Sequence, residues 1–173
     1  MNDTPETLRT RSYSWADPAV DLRQLMAMSG LDQLRARMTG GARPPIADTL
    51  DFNLVELDYG RVVFSGMPAE YLYNPIGTVH GGYAATLLDS ALGCAVHTTL
   101  KPGFAYTTVE LKVNYVRAMR ADTGLVHCEG KIIHVGGRIA TAEARIVSPD
   151  GEKLYAHGTT TCLIFPAAEG RGA

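Results

Sequence analysis

Between His80 and Thr98 the chain reads Gly-Gly-Tyr-Ala-Ala-Thr-Leu-Leu-Asp-Ser-Ala-Leu-Gly-Cys-Ala-Val-His, and no other stretch restricts the fold as much. At 3.6 residues per turn, Ala84, Ala85, Leu87, Leu88, Ala91, Leu92, Ala95 and Val96 cover nearly every face of a helix running to about Thr99. A helix apolar all round is buried all round, so the rest of the chain has to wrap it. Four of those eight residues are alanine, small enough for a sheet to approach closely. One carboxylate, Asp89, stands midway along the helix. Burying a carboxylate costs free energy unless it is paired or used. Asp89 is therefore either a structural acceptor or the centre of the chemistry.

The flanking sequence supplies the wrap. Residues 49–57 and 61–67 read as two strands joined by the Asp58-Tyr59-Gly60 turn. An aperiodic stretch, 68–79, leads to His80-Gly81-Gly82. After the helix come four more candidate strands, 105–116, 125–134, 138–147 and 154–164. The first alternates, with Val109, Leu111, Val113 and Tyr115 on one face and Thr108, Glu110, Lys112 and Asn114 on the other. Val135-Gly136-Gly137 and Ser148-Pro149-Asp150-Gly151 suit hairpin turns. Two strands, one helix and four strands make an α+β domain, an antiparallel sheet wrapped around a long central helix. Upstream, residues 1–16 read as a loose tail and a short helix is expected from Asp17-Pro18. Leu22, Leu25 and Met26, then Leu31, Leu34 and Met38, recur at roughly helical spacing, with a break near Ser29-Gly30. Gly40-Gly41 and Pro44-Pro45 mark the entry to the main domain. The division is thus 1–45 as tail and helical extension, 46–166 as the domain, and 167–173 as a C-terminal tail.

Composition removes several functions. At 173 residues, 46% of them hydrophobic and 20% charged, the chain is long and apolar enough for one domain with a real core. A net charge of −2 gives no basic field for nucleic acid. Cys94, Cys128 and Cys162 form no CxxC pair, so neither a metal site nor a redox motif is expected. The N-terminus opens polar and charged, unlike a secretory signal, and no apolar run reaches membrane-spanning length. The expectation is a soluble cytoplasmic protein with no membrane partner and free thiols.

His80-Gly81-Gly82 stands where the first N–H groups of the helix have no intrahelical partner and the dipole favours negative charge. Glycine lets a ligand approach the backbone, which suits an oxyanion on a carbonyl under attack. The same residues also serve as a plain tight turn into the helix. The run Asn74-Pro75-Ile76-Gly77-Thr78-Val79-His80-Gly81-Gly82, followed by Ala85-Thr86-Leu87-Leu88-Asp89, resembles the signature of the PaaI-type hotdog-fold acyl-CoA thioesterases. The likeness continues through residues 107–115 and 137–144 and covers about 46–163.

That resemblance implies a hotdog fold, hydrolysis of an acyl-CoA thioester to acid and CoA, and no cofactor. Asp89 would be the base that activates water or the nucleophile that attacks the thioester carbon. Gly81 would donate its backbone N–H to the carbonyl, His80 would shape that loop, and Asn74 would orient the water or the carboxylate. Thr108 would place a hydroxyl near the carboxylate, with Thr107 as rival. Gly82 and Tyr83 would lie beside the substrate. From the residues themselves, Tyr83, Leu87 and Leu88 of the helix and the adaptable Met26, Met28 and Met38 of the extension are expected as pocket walls, and equally suit a plain core. Arg117 and Arg138 are the preferred candidates for the CoA phosphates, with Arg120 and Lys131 near them. Relatives often carry Pro after the strand ending at Tyr115-Val116, where this chain has Ala118-Met119.

Helix geometry adds a condition. Gly81 and Asp89 are eight residues apart, about 12 Å along a helix rising ~1.5 Å per residue. An oxyanion donor and a base must both come within roughly 3 Å of one reacting group. If both act, the site combines two subunits, in keeping with the homodimers and dimers of dimers that the resemblance implies. Two alternatives compete. A hydratase or dehydratase of this fold would pair an Asp and a His around Asn74-Pro75, but those positions hold Leu72 and Gly77. A non-catalytic acyl-CoA-binding module would need no carboxylate at Asp89, and the segment before Pro45 is too short and weakly basic for a DNA-binding head. Aryl-acetyl, benzoyl and medium-chain acyl groups all stay open.

Overall fold

The computed structural model describes residues 7–17, 26–40 and 43–167. Leu22 and Leu25 of the expected first helix lie outside them, as does most of the C-terminal tail. Helix α1 (Gly30–Gly40) carries the second half of that apolar pattern. Helix α2 (Pro45–Leu50) occupies residues expected to open the first strand. Proline at the first helical position favours a helix start, and Asp51 stops it in the left-handed region at φ 56°.

Strand β1 (Phe52–Asp58) and β2 (Arg61–Gly66) precede helix α3 (Gly81–His97). After it come β3 (Phe104–Tyr115), β4 (Val126–Val135), β5 (Ile139–Val147) and β6 (Leu154–Pro166). The six strands form one antiparallel sheet in the order β1-β2-β4-β5-β6-β3, wrapped around α3 in the hotdog arrangement. Val62, Val126, Ala140, Ala142, Ala144 and Ile146 of the sheet are buried with Leu87, Leu88, Ala91, Leu92, Ala95 and Val96 of the helix. Small residues set the approach. A Cβ on Gly130 of β4 would stand 2.4 Å from the Ala91 carbonyl oxygen.

Two expectations need correction. The central helix is not buried on every side, because Gly82 and Asp89 are exposed while Thr86, Ser90 and His97 are half-buried. At 3.6 residues per turn these residues fall on one side of the helix and form one open stripe, interrupted at the buried Gly93. Strand β3 does not alternate throughout. A bulge at Val109, between Thr108 opposite Cys162 and Glu110 opposite Thr161, shifts the side-chain parity. Tyr106 and Leu111 both pack on the core, whereas Val109 and Tyr115 are exposed.

The extension is docked on the end of α3. Gly30 N–H donates to Leu100 O at 3.0 Å, and Gly103 N–H donates to Met26 O at 2.8 Å. A Cβ on Gly30 would meet the His97 carbonyl oxygen at 1.8 Å, so only glycine allows this contact. Cys94, Cys128 and Cys162 are free thiols. Among the described residues no helix is long and apolar enough to cross a membrane.

Candidate active site

The loop before α3 is built on its own polar groups. Asn74 Oδ1 accepts from the N–H groups of Ile76 and Thr78, each at 3.1 Å, and Nδ2 donates to Thr78 Oγ1 at 3.0 Å. These bonds spend the Asn74 carbonyl on the loop and leave one Nδ2 hydrogen. His80 then caps the helix, its Nδ1 accepting from Gly82 N–H at 2.8 Å. In that arrangement the ring proton sits on Nε2.

The cap takes the Gly82 N–H, whereas the Gly81 N–H has no hydrogen-bond partner among the described residues. Gly81 lines a cavity of about 360 Å³ together with Thr78, Tyr115 and Arg117. Tyr115 closes over it, its hydroxyl donating to Gly81 O at 3.2 Å. A Cβ on Gly81 would press on the Tyr115 ring at 3.0 Å. The open donor at the positive end of a helix suits a developing negative oxygen.

Asp89 opens into a second, larger cavity of about 550 Å³. Thr108 Oγ1 donates to Asp89 Oδ1 at 3.2 Å, which leaves Oδ2 for another donor. The bulge at Val109 lets Thr108 face the helix on the same side as Leu111. Thr107, the rival, is exposed. Asp89 is the one carboxylate lining this cavity, beside Ser90, Cys94, His97 and Tyr106. Burial pushes the Cys94 thiol up to about 12, so it carries no thiolate near neutral pH. Burial first, and the Arg37 charge second, push His97 down to about 4. The imidazole is therefore neutral at pH 7.

Gly81 and Asp89 thus open into different cavities. One lies by Tyr115 at the end of β3, the other by Thr108 near its start. Several expected pocket residues are elsewhere. Tyr83 is 3% exposed and lines neither cavity. Its hydroxyl has no partner among the described residues and would stand 2.3 Å from a Cβ on Gly66, while burial pushes its phenol up. Leu87 and Leu88 are core residues, not pocket walls. The alternation of bulky apolar residues around a buried helix puts them under the sheet instead. Arg117 lines the Gly81 cavity, whereas Arg138, exposed between β4 and β5, lines neither. Met38 lines the Asp89 cavity and Met26 and Met28 do not. Sequence reasoning missed Tyr115 over Gly81, and it missed His97, Tyr106 and Arg37 around Asp89. His97 was readable as a member of the open helix stripe, eight residues after Asp89. Among the described residues no cluster of three or more His, Cys, Asp or Glu is placed to hold a metal ion.

The thioesterase superfamily profile matches residues 76–155, from the loop before Gly81 to the start of β6. An esterase candidate from Halobacterium salinarum is 41% identical over 75 residues, 42% of this chain and 48% of that protein. The chain therefore spans about half the length of that relative. The 1,4-dihydroxy-2-naphthoyl-CoA hydrolase of Listeria monocytogenes is 25% identical over 119 residues, 69% of this chain and 94% of the relative. Among solved structures, a thioesterase candidate of Ralstonia eutropha JMP134, a phenylacetic acid degradation-related protein, superposes with a TM-score of 0.65. It is 26% identical and covers 74% of this chain and 97% of its own.

Proposed function

We propose that this chain, which resembles the thioesterase superfamily over residues 76–155, is a thioester hydrolase that acts on acyl-CoA thioesters at a site shared by two copies of the chain. The CoA part of the reading is supported by the Listeria relative, whose name specifies a CoA thioester. The observation that carries the shared site is the pair of cavities, one with the free Gly81 N–H and one with Asp89.

Strand β3 ends the sheet, so one of its edges has no partner strand. Exposed strand edges pair readily with another chain. With the bulge at Val109 left unpaired, an antiparallel β3–β3 pairing about a two-fold axis at Lys112 sets Thr108 of one copy beside Tyr115 of the partner subunit. Asp89 of one chain then faces the Gly81 loop of the other. The open stripe of α3 (Gly82, Thr86, Asp89, Ser90) is covered by the second helix. Two such sites form per dimer, and dimers of dimers remain compatible with the free outer face.

In the reaction, the thioester carbonyl accepts a hydrogen bond from the Gly81 N–H. Asp89 either takes a proton from the attacking water or itself attacks the carbonyl carbon. In both routes the carbon–sulfur bond breaks and CoA leaves as the thiol, with the acyl group ending on water as the free acid. Thr108 holds Oδ1, which aims Oδ2 at the water or the carbon. His80 fixes the Gly81 loop by capping it. The remaining Nδ2 hydrogen of Asn74 is available to the water. Arg117, beside Gly81, meets a CoA phosphate better than Arg138 does.

Asp89→Asn tests the assignment, with an expected loss of ~10²–10⁴-fold, carried by kcat with KM little changed. A folded variant with near-normal kcat sinks it. The shared site is tested by unfolding and refolding Asp89→Asn together with Asn74→Ala. Half of the dimers then hold one intact and one doubly damaged site, so about a quarter of the wild-type rate returns. Refolded mixtures that contain heterodimers yet stay as slow as both parents refute the sharing.

A further inference from the structure

We infer that the N-terminal extension is the acyl-selecting wall of the Asp89 cavity, and that it fits the enzyme to bulky apolar acyl groups rather than short ones. The inference rests on the role proposed for Asp89. The cavity holds Asp89 and Thr108 on one side, and on the other Leu34, Met38 and Pro44 of the extension with Ile46 directly after it. Phe52 and Phe64 of the first hairpin complete the apolar lining. All of these wall residues precede residue 76, where the superfamily match begins. The profile match thus carries Gly81 and Asp89, and the residues that precede it carry the wall.

Three observations give the wall a fixed shape. The extension is tied to the end of α3 through Gly30–Leu100 and Met26–Gly103. Gly30 lies against the His97 backbone with no room for a side chain. Arg43 bonds Asp48 at 2.6 Å and Asn53 at 2.9 Å, pinning the α1–α2 connection to β1. Met38 and Ile46 nevertheless stay 40% and 50% exposed, large apolar groups turned toward an unfilled space. About 550 Å³ lies within the range of small-molecule sites. An acetyl group at Asp89 would leave most of that apolar surface uncovered. A longer or aromatic acyl group removes it from water, and that gain reaches the transition state as well as the ground state. Arg43 is engaged by Asp48, and Arg37 lies at the exposed rim of α1, so neither places an unpaired charge deep in the chamber.

The test is a series of saturated acyl-CoA thioesters from acetyl to dodecanoyl, with benzoyl-CoA added, assayed by release of free CoA. Wild-type kcat/KM is expected to rise about two- to fourfold per methylene until the chamber is full. Met38→Trp and Ile46→Trp, both at exposed positions that the core tolerates, narrow the chamber. Each should lower the decanoyl-to-butyryl ratio of kcat/KM at least tenfold, and Met38→Ala should move the optimum to longer groups. The inference is overturned if wild-type enzyme prefers acetyl-CoA, or if folded Trp variants keep the wild-type chain-length profile. Absence of turnover with every thioester overturns the proposed function itself, a result separate from a flat profile.

Discussion

Replacing His97 by glutamine removes a titrating ring from the end of the Asp89 cavity while keeping a polar side chain there. In the folded protein His97 is pushed down to about 4, first by burial and then by Arg37, against ~6.5 in the unfolded chain. Above pH 6.5 the ring is neutral in both states and contributes nothing to the difference. Between 6.5 and 4 the unfolded chain takes up a proton that the folded chain refuses, so stability falls as pH falls. One pH unit corresponds to ~1.4 kcal/mol. From pH 7 to pH 5 this single ring should remove ~2 kcal/mol, rising toward ~3 kcal/mol below pH 4. Urea unfolding of wild type and His97→Gln at pH 7.0 and 5.0 measures the effect. Carboxylates common to both proteins cancel in the difference of differences. Wild type should lose ~2 kcal/mol more than the variant over that interval. Equal losses would show that His97 protonates freely in the folded state, and that this end of the cavity is open to water.

Tyr83→Phe removes a buried hydroxyl that has no partner among the described residues, and deleting such a group should leave stability unchanged or raise it by up to ~1 kcal/mol. A thermal melt showing a clear loss would mean that the hydroxyl is hydrogen-bonded in solution. Gly130→Ala forces a methyl against the Ala91 carbonyl and should cost ~1–3 kcal/mol, seen as a melting temperature lower by several degrees. An unshifted melt would show that the sheet can move away from the helix without loss.

The fold was legible because two periods coexist in the chain. The helix Gly81–His97 stands out through Leu87, Leu88, Leu92 and Val96, and the strands around it alternate or end at glycine-bearing turns such as Ser148–Gly151, where Gly151 adopts φ 78°. Counting Ala, Gly and Cys as apolar hid the open stripe of that helix, since Thr86, Asp89, Ser90 and His97 look isolated in sequence. The start of β1 was misplaced because residues 49 and 50 suit a strand, while Pro44-Pro45 and a left-handed Asp51 impose a short helix first. The bulge at Val109 left no local mark, because the sequence around it, Thr107-Thr108-Val109-Glu110-Leu111, alternates perfectly well on paper. Only pairing with β6 reveals the extra residue.

That bulge links what was readable in the site to what was not. Without it, Thr108 and Leu111 would point to opposite faces, and either the hydroxyl or the core contact would be lost. With it, β3 spends its first half on the Asp89 cavity, through Tyr106 and Thr108, and its end on Gly81, through Tyr115. If both Gly81 and Asp89 act, their spacing on one helix rules out a single-chain site, a purely local argument from rise per residue. What the spacing could not supply was a surface on which two copies meet. In the proposed dimer the edge position of β3 supplies it, because the strand that touches both cavities is also an edge strand of the sheet. With the bulge residue left unpaired, a register centred on Lys112 is the one that brings unlike ends together. A slip of two residues would move Thr108 away from Tyr115 of the partner subunit by about 7 Å, more than a hydrogen bond between catalytic groups can span.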